Sequence, residues 1–165
     1  MKNFARLAAL AAVATIVATP AAAQNSAGAS GTVRIEKPLI LNKVTDLDFG
    51  NVVVWGNGTV TMTQAGAVSC TAATLTCDGV GATAATFTIQ GTNNRVVDIA
   101  VPATVTLANG ANNLTLTTDF PATRTLNSSG VGNTTPFGIG GSVALLETTP
   151  GGTYTGTFNV TVSYQ

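Results

Sequence analysis

The chain has 165 residues, only 8% of them charged, with seven basic residues against seven acidic and no histidine. That balance excludes an extended basic surface for nucleic acid, and the missing imidazole removes the usual general base and a common metal ligand. The length fits one domain behind a short leader, large enough to bury roughly two-thirds of its unfolded surface.

The leader comes first. Lys2 and Arg6 precede an apolar run from Leu7 to Val17, and Ala21-Ala22-Ala23 follow Pro20. A basic start, a short apolar stretch and small residues at the end predict a signal peptide over residues 1–23. The run is too short for a membrane span of about 20 residues, and no later segment reaches that length. Export is therefore expected, through the periplasm in transit to the cell surface or the medium. Removal of Lys2 and Arg6 leaves five basic and seven acidic residues. Residues 24–32 then form an uncharged arm, expected to be flexible in isolation, ahead of a single domain over 33–165.

Within that domain period-2 alternation recurs and no stretch sustains a 3.6-residue pattern. Val33 and Ile35 alternate with Arg34 and Glu36, and Leu39 and Leu41 resume after Pro38. Leu47 and Phe49 lead to Val52-Val53-Val54, and Asn57-Gly58 predicts a two-residue hairpin into Val60 and Met62. Asp78-Gly79 marks a turn before Phe87 and Ile89. Val97, Ile99 and Val101 share a face, then Val105 and Leu107 run to a turn at Asn109-Gly110, and Leu114 and Leu116 follow. After a polar loop over Asn127–Thr135, Phe137, Ile139, Val143 and Leu145 alternate. Tyr154, Phe158, Val160, Val162 and Tyr164 fall on one face of the last strand. Eight to ten antiparallel strands separated by turn signals predict an all-β sandwich.

Cys70 and Cys77 are the only cysteines. In an exported chain such a close pair reads as a disulfide; a free thiol pair or a metal site are the alternatives, the latter needing more nitrogen or sulfur ligands than the chain contains.

No charged residue follows Glu147, and Phe158 to Tyr164 also lacks proline and glycine. A strand of that composition left at a sheet edge is a template for pairing, and none of the usual blunting devices is present. It is expected to be covered, by the chain's own N-terminal segment or by a strand from another molecule. Ala27, Ala29, Gly31, Val33 and Ile35 lie on one face of an extended arm and are candidates for a donated strand; the alternative is a floppy leader ahead of the first strand.

The elements Leu47-Asp48-Phe49-Gly50 and Gly58-Thr59-Val60, with the ending from Gly152 to Gln165, resemble an uncharacterised exported bacterial family catalogued as a domain of unknown function. The likeness spans roughly Val33 to Gln165. More distantly, the same residues resemble spore coat protein U and the chaperone–usher pilins. That resemblance implies an immunoglobulin-like, pilin-like sandwich lacking one strand, which a periplasmic chaperone lends and the arm of the next subunit replaces at an outer-membrane usher. Phe158, Val160, Val162 and Tyr164 match the strand that such chaperones pair with, and with Tyr154 they are the candidate acceptor-groove residues. Two features depart from pilins: Ala27 and Ala29 are smaller than usual donor residues, and both cysteines sit in one hairpin. A self-complete domain, with residues 31–41 filling its own groove, is the competing arrangement.

Other motifs carry bland readings. Asp46 and Asp48 are too few for a calcium site of six to eight oxygens and read as turn carboxylates. Gly138-Ile139-Gly140-Gly141 lacks the lysine and helix of a phosphate loop and reads as a close-packed or bulged strand. Serines abound without a histidine or an S-x-x-K spacing to activate them. Trp55, beside Asn57-Gly58, reads as an edge or core anchor, or else as a ring that stacks on a sugar.

The expectation is a non-enzymatic structural subunit of a pilus-like or cell-surface assembly, joined by strand exchange to other copies or related subunits. It needs no cofactor, metal or nucleic acid. The alternatives are a self-complete exported module binding surface glycan through loops around Trp55 and Asn127–Thr135, and a self-assembling matrix protein of amyloid type.

Overall fold

The structure, a computed structural model, describes residues 25–71, 73–127 and 134–165. The leader predicted over 1–23 and the middle of the polar loop, 128–133, lie outside them. The chain divides into two units, one ending at Arg34 and the other running from Ile35 to Gln165. In the first, residues 25–34 carry no strand and are exposed.

The second unit is all β. Its strands are β1 (Ile40–Thr45), β2 (Val52–Val54), β3 (Gly58–Met62), β4 (Val68–Cys70), β5 (Leu75–Cys77) and β6 (Ala85–Gln90), followed by β7 (Val96–Ala100), β8 (Thr104–Asn109), β9 (Asn112–Asp119), β10 (Thr123–Thr125), β11 (Thr135–Leu145) and β12 (Thr161–Tyr164). Every pairing among them is antiparallel. Among the described residues twelve strands stand where eight to ten are predicted, because three-residue pieces such as β4, β5 and β10 are too short for alternation to register.

β11 organises the sandwich. Its first half, Thr135–Ile139, pairs with β6, which carries β1 on its far side. Its second half is flanked by β3 and β9, which carry β4 and β8 in turn. The glycines singled out in the sequence make this passage through two ladders possible. A Cβ on Gly138 or Gly140 would fall on the carbonyl oxygens of Gln64 and Met62, and one on Gly141 on that of Thr117. These are close backbone approaches within a strand, as the sequence suggests.

A separate three-stranded sheet, β10-β7-β12, packs across the first half of β11. Phe87, Ile89, Phe137 and Ile139 meet Val97, Ile99 and Leu126 there. Phe87 and Phe137 are directly opposed in register and stack at 5.5 Å between centroids. Each such fully buried aliphatic or aromatic side chain contributes about 1.5–3 kcal/mol. A second cluster, Val60, Leu75, Val105, Leu116, Val143 and Leu145, lies beneath β3, β9 and the second half of β11.

One predicted hairpin is corrected. Asn57-Gly58 joins β2 to β3, but these strands do not pair with each other: β2 pairs with β5, whereas β3 lies between β4 and β11. Both Trp55 N–H (2.8 Å) and Gly56 N–H (3.1 Å) donate to the Thr74 carbonyl, which directs the chain towards β5. The Asn109-Gly110 turn is found as predicted: Asn109 pairs with Asn112, and Gly110 has φ 61°, which glycine adopts without strain. Cys70 and Cys77 form a disulfide with Cα atoms 6.0 Å apart.

The C-terminal segment follows two strands in succession. β12 pairs with β7, from Tyr164 opposite Val97 to Thr161 opposite Ala100, and Thr155 bridges Ala108 of β8 in both directions at 2.8 and 3.0 Å. Two more residues lie between Ala100 and Ala108 than between Thr155 and Thr161. The two contacts are therefore out of register with one another.

Candidate functional site

The side chains predicted to share a face show an alternating burial pattern. Tyr154, Phe158, Val160, Val162 and Tyr164 are half-buried, and the residues alternating with them from Thr155 to Ser163 are exposed. Their ladder is shorter than the pattern suggests. Only Thr161–Tyr164 is regular strand, and Gly156 to Val160 make no backbone hydrogen bond with another strand among the described residues. β12 has β7 on one side and no strand on the other among those residues.

The five residues divide into two groups. Val160, Val162 and Tyr164 pack on the first cluster, beside Leu39 and Leu41. Tyr164 is tied down further: its hydroxyl donates to the Lys37 carbonyl and accepts the Thr92 N–H, both at 2.7 Å. Arg95 lies over its ring at 5.8 Å, pairs with Glu36 at 2.9 Å and donates to the Gln165 carbonyl at 2.8 Å. At this end residues 36–39 already cover the strand.

Tyr154 and Phe158 instead line a cleft of about 830 Å³. Its floor is the buried apolar set Val60, Phe87, Leu116, Val143 and Leu145. One wall is Leu47, Phe49, Val52 and Val54, and the other is Leu107, Tyr154 and Phe158. Phe158 touches both core clusters. Charge is confined to the rim, at Lys43, Asp46 and Asp48. Asp46 pairs with Lys43, and Asp48 Oδ1 accepts the Gly50 N–H at 2.8 Å, a turn role for both carboxylates.

Both walls end in unpaired backbone. Among the described residues β2 pairs only with β5, and on the opposite wall Gly156–Phe158 has no strand partner. An apolar trough between two open edges has the chemistry to take one more extended segment: unpaired N–H and C=O groups supply hydrogen bonds, and alternate side chains enter the floor.

Of the candidate donor residues, Ala27, Ala29, Gly31 and Val33 belong to the first unit and Ile35 opens the second. All are exposed, Val33 at 81% and Ile35 at 84%. Trp55 does not anchor the core; it is 70% exposed on the β2–β3 turn. The Asn57 side chain of that turn accepts the Glu147 N–H at 2.9 Å.

Sequence reasoning places the C-terminal wall but not the wall that faces it. Leu47, Phe49, Val52 and Val54 show the alternation and apolarity of a strand, but nothing local says that they stand across from Tyr154 and Phe158. Among the described residues no helix is long and apolar enough to cross a membrane.

A family model described as Domain of unknown function (DUF4402) matches residues 39–164. No curated protein and no solved structure matches the chain. The chain belongs to the DUF4402 family.

Proposed function

We propose that this DUF4402 protein is a non-enzymatic structural subunit of a pilus-like or other cell-surface assembly, exported through the periplasm, whose cleft takes an extended strand from another subunit. The observation that carries the reading is the uncharged Gly156–Val160 edge, without a ladder partner among the described residues, beside an apolar cleft of about 830 Å³. Exposed edges of this kind are normally blunted or covered, and an inserted strand would cover both walls at once. The distant pilin-like character of the ending agrees with this. It makes the exposed Ala27–Ile35 arm the candidate donor, other copies or related subunits the partners, and a periplasmic chaperone and an usher the assembly factors.

The test is the gel behaviour of the mature protein made with a pilus chaperone and usher. Strand-exchanged subunits run as a ladder that collapses on boiling, and deletion of residues 24–35 abolishes it. A stable monomer under all conditions, with the cleft filled by its own chain, refutes the reading.

A second reading is favoured by one observation, the 70% exposure of Trp55. A bare indole on a loop stacks on sugar faces, and in this reading the domain is a self-complete module for surface glycan. Trp55→Ala would then abolish retention on a polysaccharide column and leave the fold intact. Unchanged retention removes this alternative.

A further inference from the structure

We infer that the Cys70–Cys77 disulfide is the brace that positions the β2 wall of the cleft, and through it governs strand uptake; this rests on the strand-accepting reading above. Among the described residues β2 hydrogen-bonds only to β5, and the two form a ladder separate from the main sheet. Register places Cys77 opposite Val52 in that ladder and Cys70 opposite Val60 in the β3–β4 ladder. Val52 belongs to the wall of the cleft and Val60 to its floor. The disulfide therefore joins wall to floor where no backbone ladder does so, since β4 and β5 are not paired with each other.

Further ties act at the other end of β2. The Trp55 and Gly56 N–H groups both donate to Thr74, and Leu75, 5% exposed and opposite Val54, is seated so close to Gly58 that a Cβ there would strike it. These contacts hold the Val54–Leu75 end. The Val52 end follows Gly50, at φ 71°, and Asn51, and its ladder ends at Cys77 and the sulfur bridge; the tie before it is the Asp48–Thr83 bridge, 2.8 Å in both directions. On its inner side Val52 packs on the second cluster and also lines the cleft, so its cover is completed only when a strand is seated. Without the bridge the Val52 end keeps only the Asp48–Thr83 bridge and its own packing, and the trough loses its fixed width, while the first core cluster, which holds neither cysteine, is untouched.

The experiment compares the oxidised protein with Cys70→Ser/Cys77→Ser and Cys70→Val/Cys77→Val, the second variant keeping apolar volume in case the first does not fold. Two labelled peptides serve as probes: residues 24–36, and the same segment with leucine at positions 27 and 29. Binding is read by anisotropy and local opening by amide hydrogen exchange. The brace predicts at least tenfold weaker peptide binding in the variants, with exchange accelerated at Val52–Val54 and Leu75–Thr76 but unchanged in β6, β7 and the first half of β11. An ordinary cross-link that only raises global stability would instead accelerate exchange in both clusters together, and that result overturns the inference. So does unaltered exchange at β2 and β5. If the oxidised protein binds neither peptide, the strand-accepting reading fails, and the exchange pattern still decides whether the disulfide positions the wall.

Discussion

Phe158 is where the two core clusters and the cleft meet, so Phe158→Ala separates what the ring does for the fold from what it does for uptake. A fully buried phenylalanine truncated to alanine costs about 3–5 kcal/mol, part of it for the cavity left behind. Phe158 is only half-buried, and its cleft-facing side encloses no new cavity when the ring is removed. Forgoing the burial of the covered part of the ring, together with its packing against both clusters, then costs about 2 kcal/mol. Urea unfolding followed by far-UV circular dichroism measures it, from the midpoint shift at constant m; Trp55, being exposed, is a poor reporter. A loss below about 0.5 kcal/mol, the range of ordinary surface substitutions, would mean that the ring is not shared between the clusters. A loss above about 4 kcal/mol, as for a sealed core site, would mean that the cleft is closed around it. The variant is also expected to weaken binding of the residue 24–36 peptide, since the ring forms part of the wall.

Tyr164→Phe removes the hydroxyl that serves Thr92 N–H and the Lys37 carbonyl; urea unfolding should show a loss of about 1–2 kcal/mol, the cost of leaving such groups without a partner. Gly140→Ala puts a methyl on the Met62 carbonyl, and since backbone cannot rotate aside as a side chain can, the loss should reach about 3 kcal/mol, read as a fall in the unfolding midpoint. Ala27→Leu with Ala29→Leu should raise the boiling resistance of the ladder, because a cleft of about 830 Å³ is underfilled by methyl side chains.

Much of the fold is legible in single stretches of sequence. Phe87 and Ile89 set between Thr86, Thr88 and Gln90 announce a strand with one buried face, and burial follows that alternation throughout β6. Alternation reports a face, however, and not a neighbour. It cannot say that β12 lies beside β7, or that Val52–Val54 turns away from β3 to pair with β5. The Asn57-Gly58 signal is overridden because the hydrogen bonds to Thr74 and the disulfide give β2 a different partner. The cleft is the least legible feature. It arises where Leu47 and Phe49 come to face Tyr154 and Phe158, a juxtaposition set by the whole sandwich and written in no local motif.

The mismatch in spacing between Ala100–Ala108 and Thr155–Thr161 bears on a hazard that the uncharged ending raises. Fibrillar stacking needs a long, flat row of backbone groups in one unbroken repeat. Here the C-terminal segment is bonded first to one sheet and then, two residues out of step, to the other. Identical copies laid edge to edge would lose alignment within a few residues. Such a boundary resists indiscriminate edge-to-edge growth, so geometry opposes stacking where charge is absent.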